Sequence, residues 1–191
     1  MTQSIPDRPK VVTGLETVAL HLAPDQLCAF FPLLQKGVAV PAMVGCTLKS
    51  LLCDQLSIPA DYVTDRITTI FIDNHPVDDL EHTIVQDGSR VTLSAAMPGL
   101  VGATMRRGGF YAALRQGISH VAGSGAAAGG SGTVRVKLFN LLLAELGPLV
   151  LARGLILEQD ELAGLLKDLP GRSEDAPTLA DRVHLSVHFS E

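Results

Sequence analysis

Met105-Arg106-Arg107-Gly108-Gly109 is where the residue types of this chain come nearest to a binding chemistry. Two guanidinium groups beside glycines can hold an anion. The planar fork matches phosphate or carboxylate, and glycine lets the backbone approach closely. The alternative is a solvated loop whose arginines answer the acidic excess of the chain. The wider segment holds four glycines, with Arg106 and Arg107 its only charges. Glycine in such numbers carries an entropic cost that folding alone gives no reason to bear. The expected contact surface for an anionic ligand or an acidic partner is therefore Pro98, Gly99, Gly102, Arg106, Arg107, Gly108 and Gly109. Its base should be anchored on the sheet and its tip free.

Other candidate chemistry is thinner. On a strand, His184 and His188 share a face but lie about 13 Å apart at ~3.3 Å per residue, too far for one ion. Asp73, His75, Asp78, Asp79, Glu81 and His82 offer ligands in a turn-rich segment, but without regular spacing they read as a solvated acidic loop. Cys28, Cys46 and Cys53 are odd in number and lack metal-type spacing, which favours reduced core thiols over a disulfide framework. Neither Cys46 nor Cys53 has a visible activating partner, and Ser94 and Ser119 lack the G-x-S-x-G setting. Ala122 to Gly132 (AGSGAAAGGSG) lacks the lysine and hydroxyl of a phosphate-cradling loop and reads as a flexible connector. No metal, cofactor or catalytic constellation is expected.

Composition narrows the class. With 191 residues, 47% hydrophobic and 18% charged, the chain can bury a sizeable core. Aromatic residues make up only 4% and tryptophan is absent, so that core must be Leu, Val, Ile and Ala. A formal charge of -5 argues against a nucleic-acid surface. The opening MTQSIPDRPK has no apolar h-region. No run approaches the ~18 apolar residues of a membrane span. The expectation is a cytoplasmic protein without a membrane or nucleic-acid partner.

The elements that must position the glycine segment follow from periodicity. After a disordered leader (1–10), Val18, Leu20 and Leu22 alternate as a first strand. Val38, Val40, Ala42 and Val44 form a second, with Pro41 suggesting an edge or a bulge. Thr47 can cap a helix carrying Leu48, Leu51, Leu52 and Leu56 on one face, ended by Pro59. Ile67 to Ile72 reads as a central strand and Arg90 to Met97 as a half-buried one, entered by an Asp87-Gly88 turn. Phe110 to Ile118 suits a short helix. Beyond the connector, Val134, Val136 and Leu138 make a strand with basic Arg135 and Lys137 outward. Leu141 to Leu146 starts a helix that Gly147-Pro148 kinks or stops. Leu162, Leu165, Leu166 and Leu169 mark another helix, and Val183 to Phe189 a closing strand.

Strand, strand, helix, strand, turn segment, strand resembles the β-grasp (ubiquitin-like) fold, in particular the small sulfur-carrier proteins of thiamine and molybdopterin synthesis. The resemblance rests on Thr47 to Leu52, Ile70 to Val77 and Ile84 to Leu93, and spans about residues 15–109. It implies an α+β fold: a β-grasp-like mixed sheet with one main helix over 11–109, a short helix and linker over 110–132, and a C-terminal helix-and-strand extension over 133–191 packing on the first sheet. In that family the chemistry sits on a free C-terminal Gly-Gly. Here Gly108-Gly109 is followed by Phe110 and the rest of the chain, so no carboxylate is present to be adenylated.

The expected function is a non-catalytic binding or assembly module with a protein or anionic small-molecule partner. Two alternatives stay open. One is a sulfur-carrier role following cleavage after Gly109. The other is a small enzyme holding an anionic substrate at Arg106-Arg107. Unpaired edges at Val38–Val44 and at the closing strand predict a homo-oligomer.

Overall fold

Alternation of apolar and polar residues gives the chain its strands, and all but the shortest bury one side against a single core. The computed structural model describes residues 15–115, 117–120, 129–169 and 181–190. Its elements begin with β1 (Glu16–Leu22), a 3-10 helix (Pro24–Phe30), α1 (Phe31–Lys36) and β2 (Val38–Val44). Next come α2 (Leu48–Ser50), which runs into a π turn (Leu51–Gln55), then α3 (Ala60–Asp65), β3 (Thr69–Ile72), β4 (His75–Pro76) and β5 (Arg90–Ser94). Then follow α4 (Gly99–Met105), a 3-10 helix (Phe110–Arg115), β6 (Gly130–Phe139), α5 (Leu142–Arg153), β7 (Leu155–Glu158), α6 (Gln159–Asp168) and β8 (Arg182–Phe189). The expected leader, 1–10, lies outside the described residues, as does most of the expected connector.

The fold is α+β, built on one mixed eight-stranded sheet in the order β1-β8-β7-β2-β6-β5-β3-β4. β1 runs parallel to β8 and β6 parallel to β5; the other neighbours are antiparallel. Leu20, Val40, Leu93, Val136 and Leu185 face a core shared with Leu34, Leu52, Leu151 and Leu162 from the helices. On the opposite side Ala19, His21, Arg90 and Arg135 are exposed.

Three expectations about connectivity are corrected. The closing strand is not the expected unpaired edge, since β8 lies between β1 and β7. β6, from beyond the connector, lies between β2 and β5. Within 15–109 only β3, β4 and β5 pair with one another, and the C-terminal segment enters the sheet instead of packing on it. β6 also starts at Gly130, with Gly132 opposite Ala42, so the end of the expected linker is strand. Local alternation cannot foresee this, because Val134, Val136 and Leu138 would look the same beside any neighbours.

β2 is not an edge strand, yet Pro41 was a sound warning. β7 reaches β2 at Ala39 alone. Further along, the Met43 N–H donates to Gln55 Oε1 (2.8 Å) and its carbonyl accepts from Gln55 Nε2 (2.9 Å). Backbone groups of alternate residues point the same way along a strand, so Pro41 faces that same unladdered side, where its missing N–H costs nothing. A side chain thus stands in for a strand.

Helix chemistry held in part. Thr47 accepts from the Ser50 N–H (3.1 Å), and Leu48, Leu51, Leu52 and Leu56 are all buried. The turn is α only to Ser50, then widens so that the Leu56 N–H donates to the Leu51 carbonyl. Gly147-Pro148 does not stop α5, which runs unbroken through Pro148. Leu142, Leu146, Val150 and Leu151 are buried on either side of the proline, and their packing outweighs its local penalty.

α3 is tied to α5 by Glu145, which accepts from Tyr62 Oη and from Arg66. Burial, then Glu145, pushes the Tyr62 phenol up to about 12. A raised value means this contribution is complete below the ordinary ~10 of tyrosine and is lost as pH rises through 12. In Tyr111→Phe, which leaves Tyr62 as the only tyrosine, absorbance titration should show ionisation near 12. Ionisation near 10 would mean that the tie does not form.

Candidate functional site

β5 ends at Ser94, and the chain leaves the sheet into the glycine-rich segment. Pro98 is extended (φ −75°, ψ 157°) and α4 follows. Gly102, in the middle of α4, is buried because the helix lies directly on the chain that precedes it. A Cβ there would meet the Met97 carbonyl oxygen at 1.8 Å, so any larger residue is excluded. Gly99 and Gly108 hold positive φ, +70° and +62°. The glycines thus serve a tight fold-back as much as a mobile tip, and the expected free tip is a short helix.

The structure separates the two arginines. Arg106 is exposed. Arg107 turns inward: its N–H donates to the Thr68 carbonyl (2.8 Å) and its guanidinium to the Val63 carbonyl (2.7 Å). Burial pulls the Arg107 guanidinium below its ordinary value, opposed by Asp78. One arginine of the pair is therefore offered to solvent, and the other holds the segment to the end of α3.

Arg115 completes the anchor. It is 3% exposed. Its Nε donates to the Thr104 carbonyl (2.7 Å), and one terminal nitrogen reaches Asp78 Oδ1 (2.7 Å) and the Arg106 carbonyl (3.4 Å). A cation at the C-terminal end of α4 satisfies carbonyls that the helix leaves open and complements its dipole. Asp78 also accepts from the Gly108 N–H (3.2 Å), and the His120 N–H closes the segment onto the Pro76 carbonyl (2.8 Å). The helical spacing of Arg115 is visible in the sequence; its burial is not.

With this anchor in place, the apolar side chains face outward. Phe110 is 92% exposed, Leu114 74%, Leu100 71%, Val101 61%, Ile118 51% and Tyr111 43%. Phe110 and Tyr111 stack edge to face, 5.2 Å between ring centres. Of the other large apolar side chains among the described residues, only Met43 and Leu141 are as open. Reading by periodicity missed this surface, because it assigns apolar residues at helical spacing to a core.

The remaining clusters have local roles. Asp73 accepts from the Arg90 N–H (2.8 Å), and Asp79 accepts from the N–H groups of Glu81 and His82 and from the His82 ring. His188 stacks on His21 (5.6 Å), while His184, pushed down by burial, lies against Gly154. All three cysteines are free; Cys28 is exposed instead of lying in the core. Burial is the main cause pushing the Cys46 and Cys53 thiols up, the opposite of an activated thiolate.

A cleft of about 270 Å³ opens at the start of β2 and the end of β7, lined by Lys36, Arg135, Glu158, Glu161 and Arg182 among others. Its charges are already engaged. Lys36 pairs with Glu161 (2.5 Å), Arg182 with Glu158 (3.3 Å), and Arg135 donates to the Gly37 carbonyl (3.0 Å). Among the described residues no helix is long and apolar enough to cross a membrane.

No protein-family model matches the chain, and no curated protein or solved structure matches it.

Proposed function

We propose that this chain is a non-catalytic binding or assembly module on a β-grasp-like scaffold, acting in the cytoplasm and meeting a protein partner through the appendage from α4 to Ile118. The observation that carries this is the set of exposed apolar side chains on a segment fixed by Arg115. Mobile loops can expose apolar groups in passing, but an anchored patch at the surface is a feature of binding sites. Aromatic and leucine side chains suit the centre of such a contact, and Arg106 at its edge favours carboxylates on the partner. The scaffold reading is supported by the strand order β2-β6-β5-β3-β4. In a ubiquitin-like sheet the first strand lies between the second, antiparallel to it, and the last, parallel to it. β6 has those neighbours in those directions, so it would be the first strand, supplied from later in the chain. Three free cysteines suit a reducing compartment.

The test is a quantitative comparison of proteins recovered by the parent chain and by Phe110→Glu with Leu114→Glu. A specific partner should fall about tenfold or more in recovery, as when central contact residues are lost. Leu141→Glu, also apolar and exposed but outside the appendage, should leave recovery unchanged. Arg106→Ala should weaken capture chiefly at low salt. Equal recovery by parent and double variant would overturn the reading. A native fragment ending at Gly109 would replace it with the carrier alternative.

A further inference from the structure

Among the described residues, open strand edge lies on β2 beyond Ala39, on β4 and on β1, and the chain guards the first two. On β2, Pro41 presents no N–H and Gln55 occupies both backbone groups of Met43. β4 is two residues long and includes Pro76. Short edge strands, proline and side-chain cover are the usual defences against edge-to-edge pairing. β1 has none of these. It is 7 residues long, contains no proline or lysine, and stays in continuous register with β8 from Glu16 to Leu22. Among the described residues nothing pairs with its outer side.

We infer that β1 is the interface with a second copy of this chain, pairing antiparallel with the partner's β1 about a two-fold axis through Ala19. The register follows from the backbone. The Leu22 carbonyl accepts from the Ser190 N–H, so Leu22, and with it Leu20, Val18 and Glu16, directs its backbone groups toward β8. Thr17, Ala19 and His21 then point their N–H and carbonyl groups outward. A two-fold at Ala19 sets Ala19 against the partner's Ala19 and Thr17 against the partner's His21, both as mutually hydrogen-bonded pairs. On the core side Val18, only half-buried, gains the partner's Leu20 as its cross-strand neighbour. No charged side chain meets its own copy, since Glu16 lies opposite the partner's Leu22. The surface is self-complementary, which a two-fold contact requires. It is also separate from the appendage proposed to hold another protein.

Light scattering over a wide concentration range tests this. The parent should reach twice the 20.2 kDa of the chain. Ala19→Lys, which sets two ammonium groups face to face across the axis without touching a bond to β8, should give the single-chain mass with unchanged circular dichroism. An equimolar mixture of Ala19→Lys and Ala19→Glu should restore the doubled mass. A parent of single-chain mass at every concentration would overturn the inference. So would a dimer indifferent to Ala19→Lys, or one abolished instead by Phe110→Glu.

Discussion

Arg115→Met should loosen the segment from Gly99 to Ser119 while leaving the sheet intact. The substitution keeps most of the side-chain length but removes every donor. The Thr104 carbonyl loses the Arg115 donor, while the Arg106 carbonyl and Asp78 are left with one backbone N–H each, from Gly109 and Gly108. Breaking a buried pair from one side costs roughly 3–5 kcal/mol. Asp78 is 43% exposed and regains water, so the lower end, ~3 kcal/mol, is expected here. Hydrogen exchange should read it locally, with amides of α4 and the following 3-10 helix opening while those of β5 and β6 keep their protection. Arg115→Lys should recover little, since an ammonium cannot serve separate carbonyls and a carboxylate as the guanidinium fork does. If exchange in this segment is unchanged in Arg115→Met, the anchor is not what holds the apolar surface out. The proposed contact face would then lose its physical basis.

Leu52→Ala should cost roughly 2–5 kcal/mol, the range for truncating a buried leucine. Leu52 is 0% exposed and sits where the helix widens, with Leu48, Leu51 and Leu56 buried around it. Its carbonyl accepts from the Ile58 N–H, a bond the substitution leaves in place, so the loss is of packing alone. Neighbours tied into the π turn have little freedom to collapse into the cavity, which favours the upper part of the range. The comparison is Lys49→Ala on the same helix, whose side chain reaches only the exposed Glu81 (2.6 Å) and should leave the denaturant midpoint near the parent value. Equal midpoints for the two variants would show that Leu52 is not in the core.

Where an element depends on nearby residues, the sequence was enough. Alternation marked β1, β2, β5, β6 and β8, because a strand that buries one face must repeat every second residue. The Thr47 cap, the leucine face of α2 and the Asp87-Gly88 turn, with Gly88 at φ +78°, were legible for the same reason. The glycine-rich segment after β5 could be located, but the fates of Arg106 and Arg107 could not. Adjacent arginines read alike until the end of α3 supplies carbonyls for one of them. Only the tertiary structure decided which strands are neighbours. The β6 pattern is the same at an edge as between β2 and β5, and β2 could be left by β7 beyond Ala39 because Gln55, 12 positions away from Met43 in sequence, reaches back to it. The outward face of Phe110 and Leu114 belongs to the same class. Apolar residues at helical spacing are placed inside by default, and here the inward side was already taken by Arg115, held by a carboxylate 37 residues earlier.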